Sequence, residues 1–347
     1  MTKSLDRKLA AIAADPSGSS AFIIADAKDA DMAFGVTAPG PQRGACRHGY
    51  NEAEGCWKTL PDYLQQVREV VQQGIVDIVL LSASNLERLA IEEGLFAKSP
   101  ITPAARANDT SDVWAVREGK YPKLPSRSFR TATIDHIKYG TLVDDPTEPF
   151  RGADLGLYSI TFTNDLDWDY KALEDFAAFR QEAERKRFRY FLEVFNPNVD
   201  PGFQSKKTGA FLNDHIIRAL AGVTRAGRPV FLKIPYNGPG PLEELVSYDP
   251  TLVVGILGGS AGTTMDAFQL IHDAKKYGAR VALFGRKINL SEHPLTFIEF
   301  LRRIVEGQVC PEEAVRAYHG VLQKLGIAPN RHLKKDLQLT TNQMSYR

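Results

Sequence analysis

Cysteine is scarce in this sequence, long apolar runs are missing, and neither sign of charge predominates; each shortage removes a class of function. Three cysteines in 347 residues, Cys46, Cys56 and Cys310, are too few for a disulfide framework, and the ten-residue step between the first two lacks the CxxC spacing of a zinc knuckle. No apolar stretch approaches the roughly 18 residues that span a bilayer. Residues 1–15 mix charge with Ala and Leu where a secretory leader would carry an apolar run. The expected setting is therefore a reducing cytoplasm without membrane contact. Basic and acidic side chains number 43 and 42, a net charge of +1, so no nucleic-acid partner is expected. The densest basic run, Arg185-Lys186-Arg187-Phe188-Arg189, closes a helical pattern and reads as a solvated helix C-terminus favoured by the helix dipole. The seven histidines form no HxH or HExxH, which argues against a zinc centre. No GxGxxG fingerprint, GxSxG elbow or internal repeat is present, and no metal or cofactor is called for.

What the chain does have is an ordinary soluble composition, 43% hydrophobic and 24% charged, with ample material for a core. Short β-branched runs alternate with helical patterns, the mark of βα units and a parallel sheet. Strands are predicted at 21–26, 75–82, 104–108, 155–162, 189–195, 229–234, 252–257 and 280–284. Amphipathic helices are predicted at 60–73, 170–188, 211–226, 264–277, 294–306 and 311–325. Eight strands with intervening helices make an α/β fold, a single (β/α)8 TIM barrel across 1–347 with its core at about 20–325. A Gly/Pro-rich loop, 35–56, follows strand one, and an insertion, 116–149, separates strands three and four. Loops that long are lids or excursions. The last helices form a C-terminal extension, and 330–347 is a polar tail, either free or a contact arm.

In such a barrel the reacting groups sit at the C-terminal ends of the strands. Lys233 lies near the end of strand six within Phe-Leu-Lys-Ile-Pro-Tyr. Burial disfavours a charged amine, and the neutral amine is the form that attacks a carbonyl. The plain alternative is a lysine that snorkels or is merely paired. Glu193, in the middle of strand five, would supply an acid/base beside it if the register turns both inward; a simple buried ion pair is the alternative. Gly258, Gly259 and Ser260 after strand seven, with Gly285 and Arg286 after strand eight, stand where barrels bind phosphate, although glycines also serve tight turns. Asp26 and Lys28 on strand one are candidates to tune the lysine and to meet an anion, or are solvated loop charges. Arg106, Asn108 and Asp109 after strand three are weaker pocket candidates.

These residues resemble the class I aldolase superfamily that includes tagatose-bisphosphate aldolase and the archaeal-type fructose-bisphosphate aldolases. Phe-Leu-Glu-Val at 191–194 is similar to the tagatose-type strand-five motif, and Leu-Lys-Ile-Pro-Tyr-Asn-Gly at 232–238 to the Schiff-base strand of the archaeal type. Gly258-Gly259 and Gly285-Arg286 match the phosphate loops of both, and Ala25-Asp26 resembles the strand-one Asp, with Lys28 where the tagatose type often has a basic residue. The resemblance covers about 150–325 and departs in three places. Phe195 stands where the archaeal type has Tyr, strand four lacks a tagatose-type lysine, and 116–149 has no counterpart. It implies a lyase that makes or breaks a carbon–carbon bond in a ketose phosphate, with Lys233 as Schiff base, Glu193 as acid/base and Asp26 tuning the lysine. Lys28, Gly258, Gly259, Ser260, Gly285 and Arg286 would hold the substrate. It further implies a homo-oligomer acting on a small sugar phosphate. The same residues leave open another lysine reaction, acyl transfer or decarboxylation, and a regulator that binds sugar phosphate without turnover.

Overall fold

Strands that are apolar at both parities must be covered on both faces, and a closed parallel barrel does that with side chains inside and helices outside. The computed structural model describes residues 2–42, 56–145, 147–259 and 262–340. Its barrel strands are β1 (Ile23–Lys28), β2 (Ile78–Leu81), β3 (Thr102–Arg106), β4 (Leu155–Thr161), β5 (Arg189–Phe195), β6 (Leu232–Ile234), β7 (Val254–Leu257) and β8 (Val281–Phe284). Each pairs in parallel with the next, and β1 pairs with β8 to close the ring. All eight expected strands are there. The fold is the predicted TIM barrel.

One parity of each strand fills the barrel: Ile23, Ala25 and Ala27 pack with Ile78, Leu80, Leu155, Leu157, Phe191, Phe231, Val281 and Leu283. The other parity, with Ile24, Val79, Leu192, Leu232 and Ile256, packs under the helices. This alternation decides which polar side chains can reach the mouth. Asp29, Arg106, Ser159, Glu193 and Lys233 share the inward parity. Asp26 and Lys28 share the parity of Ile24 and lie beneath the helices. β1 runs to Lys28 and not to the expected Asp26, so the residue delivered to the mouth is Asp29.

Helix α1 (Ser4–Ala14) closes the other end of the barrel, with Leu5 and Ile12 in the interior cluster. Two buried aliphatic side chains there contribute roughly 1.5–3 kcal/mol each. Around the ring run α2 (Leu60–Gln73), α3 (Leu166–Arg185), α4 (Thr208–Ala221), α5 (Pro239–Tyr248), α6 (Thr264–Lys276), α7 (Pro294–Val305) and α8 (Pro311–Lys324). Local chemistry sets their ends. Thr59 and Asp62 form a capping box at the start of α2, and Gly74 ends it at φ 72°. Thr263 and Asp266 form another at α6. None of the described helices is long and apolar enough to cross a membrane.

Three expectations are sharpened or revised. The basic run closes α3 as expected, with Arg185 exposed in its last turn, but it is not solvated throughout: Lys186 bonds Asp135 at 2.5 Å, and Arg189 pairs with Asp6 and Asp154 at 2.7 and 2.9 Å. The 116–149 insertion is built into the body, tied down by the ladder of Asp109–Thr110 with Ser128–Phe129, by Trp114 stacked on Tyr121, and by Asn198 donating to Pro122 O and Leu124 O. The tail to Thr340 takes the second of its two expected readings, a contact arm docked on α6, where Asp336 Oδ1 accepts from Thr264 N at 2.8 Å and Thr340 N donates to Asp266 at 2.8 Å. Cys56 is disulfide-bonded, against the reduced thiols expected, and Cys310 is free and exposed.

Candidate active site

Register brings the two central residues side by side: Glu193 on β5 is the Cα partner of Lys233 on β6, and Lys233 Nζ lies 2.6 Å from Glu193 Oε1. On the other flank Glu193 pairs with Ser159 on β4, whose Oγ donates to Oε2 at 2.7 Å. The carboxylate therefore has one oxygen on the amine and the other on a hydroxyl. Glu193 and Lys233 are 1% and 7% exposed, so the pair is desolvated but still open to the mouth. A buried pair of this kind stabilises little by itself, which leaves its chemistry as the more informative property.

Behind the pair stands Arg106. Its Nε donates to Asp29 at 2.7 Å and its Nη1 to Ser159 Oγ at 3.3 Å, with Glu193 at 3.8 Å and Asp109 at 3.9 Å. Burial pulls this guanidinium down, but Asp29, Glu193 and Asp109 outweigh it and hold the charge more firmly than usual. Burial, with repulsion from Asp29 and Asp31, pushes Asp109 up to about 6 against the pull of Arg106. Asn108 fixes the strand beneath: its Oδ1 accepts from Ser159 N at 2.6 Å and its Nδ2 donates to Ser159 O at 2.9 Å.

The pair opens on a cavity of about 250 Å³ at the C-terminal mouth, lined by Asp29, Arg106, Asp112, Phe195, Gly259 and Arg286 among others. Glycines shape it for different reasons. A Cβ on Gly258 would lie 2.1 Å from the Phe284 ring, and one on Gly285 would lie 2.5 Å from Ala27 O, so packing alone requires both. Gly259 has φ +59° and nothing within 4 Å of a built Cβ, which leaves its backbone exposed to a ligand. Arg286 lies over the Phe34 ring at 5.3 Å; burial lowers its pKa, partly offset by the more distant Glu193 and Asp29. The N-terminus of α6 is already taken, since Thr263 N and Thr264 N donate to Asp266 and Asp336. It is therefore not a free helix end for an anion.

Lys233, Glu193, Gly258, Gly259, Gly285 and Arg286 thus converge on one cavity. Ser260 lies outside the described residues. Asp26 and Lys28 do not converge on it: both are fully buried on the outer face of β1, 3.2 Å apart, and Lys28 Nζ donates to Asn289 Oδ1. Asp29 occupies the place expected for Asp26. Residues that sequence reasoning passed over include Ser159, Asp112 and Gly255. Gly255 is the register partner of Lys233, and a Cβ there would lie 2.7 Å from Val281 Cβ, so the strand has no room for a side chain beside the lysine. A glycine inside a strand is the signal that marks such close approach.

Neither a protein-family model nor a curated protein sequence matches this chain. Solved structures do. An archaeal fructose 1,6-bisphosphate aldolase aligns over 86% of this chain and 99% of its own, with TM-score 0.59 and 15% identity. A Schiff-base-forming fructose-1,6-bisphosphate aldolase gives 0.58 and 14% over 87% and 100%. A fructose-bisphosphate aldolase from Slackia heliotrinireducens gives 0.61 and 13% over 90% and 89%. At these identities the likeness is one of fold, that of class I aldolase-like barrels.

Proposed function

We propose that the protein is a class I aldolase-type lyase that cleaves or forms a carbon–carbon bond in a ketose phosphate through an imine on Lys233. The observation that carries this reading is the in-register pair of Lys233 and Glu193, 2.6 Å apart on the floor of the mouth cavity. Proton transfer within the pair leaves a neutral amine, which attacks the ketone carbon. Glu193 then delivers a proton to the carbinolamine oxygen, and water leaves as the iminium forms. The iminium draws in the electron pair of the C3–C4 bond while the C4 hydroxyl gives its proton to Glu193, directly or through water. An aldehyde departs, the remaining enamine is protonated at C3, and water hydrolyses the imine to free the ketone product and the amine. Ser159 and Arg106 hold Glu193 oriented through these exchanges. Arg286, with the open backbone at Gly259, fits the role of anion holder at the β7–β8 end. The likeness of the barrel to Schiff-base aldolases agrees with this reading.

Borohydride trapping with dihydroxyacetone phosphate and a panel of ketose phosphates tests it. Peptide mapping is expected to find the reduced adduct on Lys233; a protein that acquires no adduct from any of them does not use this chemistry.

A further inference from the structure

The cavity differs in charge from one end to the other. On the closed ring β3 lies four strands from β7 and three from β8, so Gly259 and Arg286 lie across the mouth from the wall built by Arg106 and Asp112, with Lys233 and Glu193 between on one side and Asp29 on the other. Among the described residues three cations line the cavity: Lys233, Arg106 and Arg286. Lys233 is paired with Glu193. Arg106 already faces three carboxylates, Asp29 at 2.7 Å, Glu193 at 3.8 Å and Asp109 at 3.9 Å. Arg286 makes no ion pair with a described residue and is free to meet an anion. The far wall adds Asp112, whose two oxygens accept from Ser126 Oγ at 2.7 Å and Thr161 Oγ1 at 2.9 Å and are thereby fixed in place.

We propose that the substrate is a ketose carrying a single phosphate, on the ketone side at Arg286 and Gly259, and that the half released as aldehyde is uncharged and hydroxylated, facing Asp112. This rests on the imine reading above and narrows it. A second phosphate at the far wall would meet Asp112 with only a guanidinium that is already surrounded, and like charges brought together are strongly unfavourable. Hydroxyls suit the same wall, because an ionised carboxylate only accepts and has lone pairs to spare beyond its internal bonds. The atoms balance without another reactant. C3–C4 breaks, its electron pair forms the enamine, and the C4 hydroxyl proton goes to Glu193. Glu193 then passes that proton to C3 of the enamine, and the half that carries the phosphate is freed when water hydrolyses the imine.

The test runs in the condensation direction with the full-length protein. Dihydroxyacetone phosphate is offered with glycolaldehyde, with each enantiomer of glyceraldehyde, and with glyceraldehyde 3-phosphate, and products are resolved by mass. The best neutral aldehyde is expected to exceed the phosphorylated one in kcat/KM by at least about tenfold. Asp112→Asn, which keeps the acceptor oxygen and removes the charge, is expected to narrow that ratio. Preference for glyceraldehyde 3-phosphate, or coupling with none of the neutral aldehydes, overturns the single-phosphate inference. Borohydride with dihydroxyacetone phosphate alone keeps the two readings apart: an adduct on Lys233 with the wrong aldehyde preference sinks this inference only, whereas no adduct sinks the imine reading itself.

Discussion

Two buried lysine–carboxylate pairs lie on opposite faces of the same barrel wall. Lys233 and Glu193 point inward, 2.6 Å apart, and open on a cavity. Lys28 and Asp26 point outward, 3.2 Å apart, and are sealed beneath the helices with Asn289. Both are short-range, almost fully desolvated and placed on strands. One pair bridges two strands and the other lies along a single strand, but it is their opposite parity that gives one of them access to a ligand. A buried lysine with a carboxylate beside it is therefore no sign of chemistry until its face is known. The outer pair is a structural element whose cost the surrounding packing has to offset: burial raises the Asp26 carboxyl despite the pull of Lys28.

Substitutions can separate the two pairs. Lys233→Met is expected to lower turnover by about 10⁴-fold or more and to abolish borohydride trapping while the circular dichroism spectrum is unchanged; residual turnover near the wild-type rate would make the pairs equivalent. Lys28→Met should leave trapping intact and destabilise the fold by about 3–5 kcal/mol, because Asp26 is left buried and unpaired. Combining it with Asp26→Leu should recover most of that loss in a urea midpoint, as apolar replacement of a whole buried pair often does.

A further contrast concerns pH. Asp109, raised to about 6, is protonated more readily in the folded than in the unfolded chain. Its contribution is therefore greatest below the unfolded value of about 4 and is lost as pH rises through about 6, on the order of 3 kcal/mol. Urea midpoints of wild type and Asp109→Asn, compared between those limits, should diverge as pH rises, with the variant losing less. Smallest is Ser159→Ala. Glu193 Oε2 loses its nearest donor, and kcat is expected to fall about tenfold with KM for the ketose phosphate nearly constant. A larger change in KM would mean that Ser159 holds substrate and not the carboxylate.

Most of the eight strands were legible because they are short apolar runs with helical spacing after them, and a barrel core repeats that pattern around the ring; the Ala-rich third strand, followed by the insertion, was the faintest. Lys233 and Glu193 were legible for a related reason: a charge is conspicuous among Phe, Leu, Val and Ile. Asp29 was not, because choosing it over Asp26 depends on where β1 ends, and strand ends are set by neighbouring strands that pair across long sequence distances. Ser159 and Asp112 look like ordinary polar residues and take on a role only through partners on other strands and in the insertion. Helix α1 was missed since residues 1–15 were read only for the absence of an apolar leader. The choice between a free and a docked tail could not be made, because Asp336 and Thr340 cap a helix far back in the sequence.

Closure of the ring has a consequence for how the chain is made. β1 pairs with β8 through Ile23 with Val281 and Asp26 with Phe284. The first strand of the barrel thus waits for the last. At synthesis rates of about 5–20 residues per second that wait is on the order of tens of seconds, during which one edge of β1 has no strand to bond. The ring cannot close before β8 has been made, so closure is a step that joins segments across the longest sequence separation in the sheet. The cavity, whose walls come from both sides of that seam, forms in the same step.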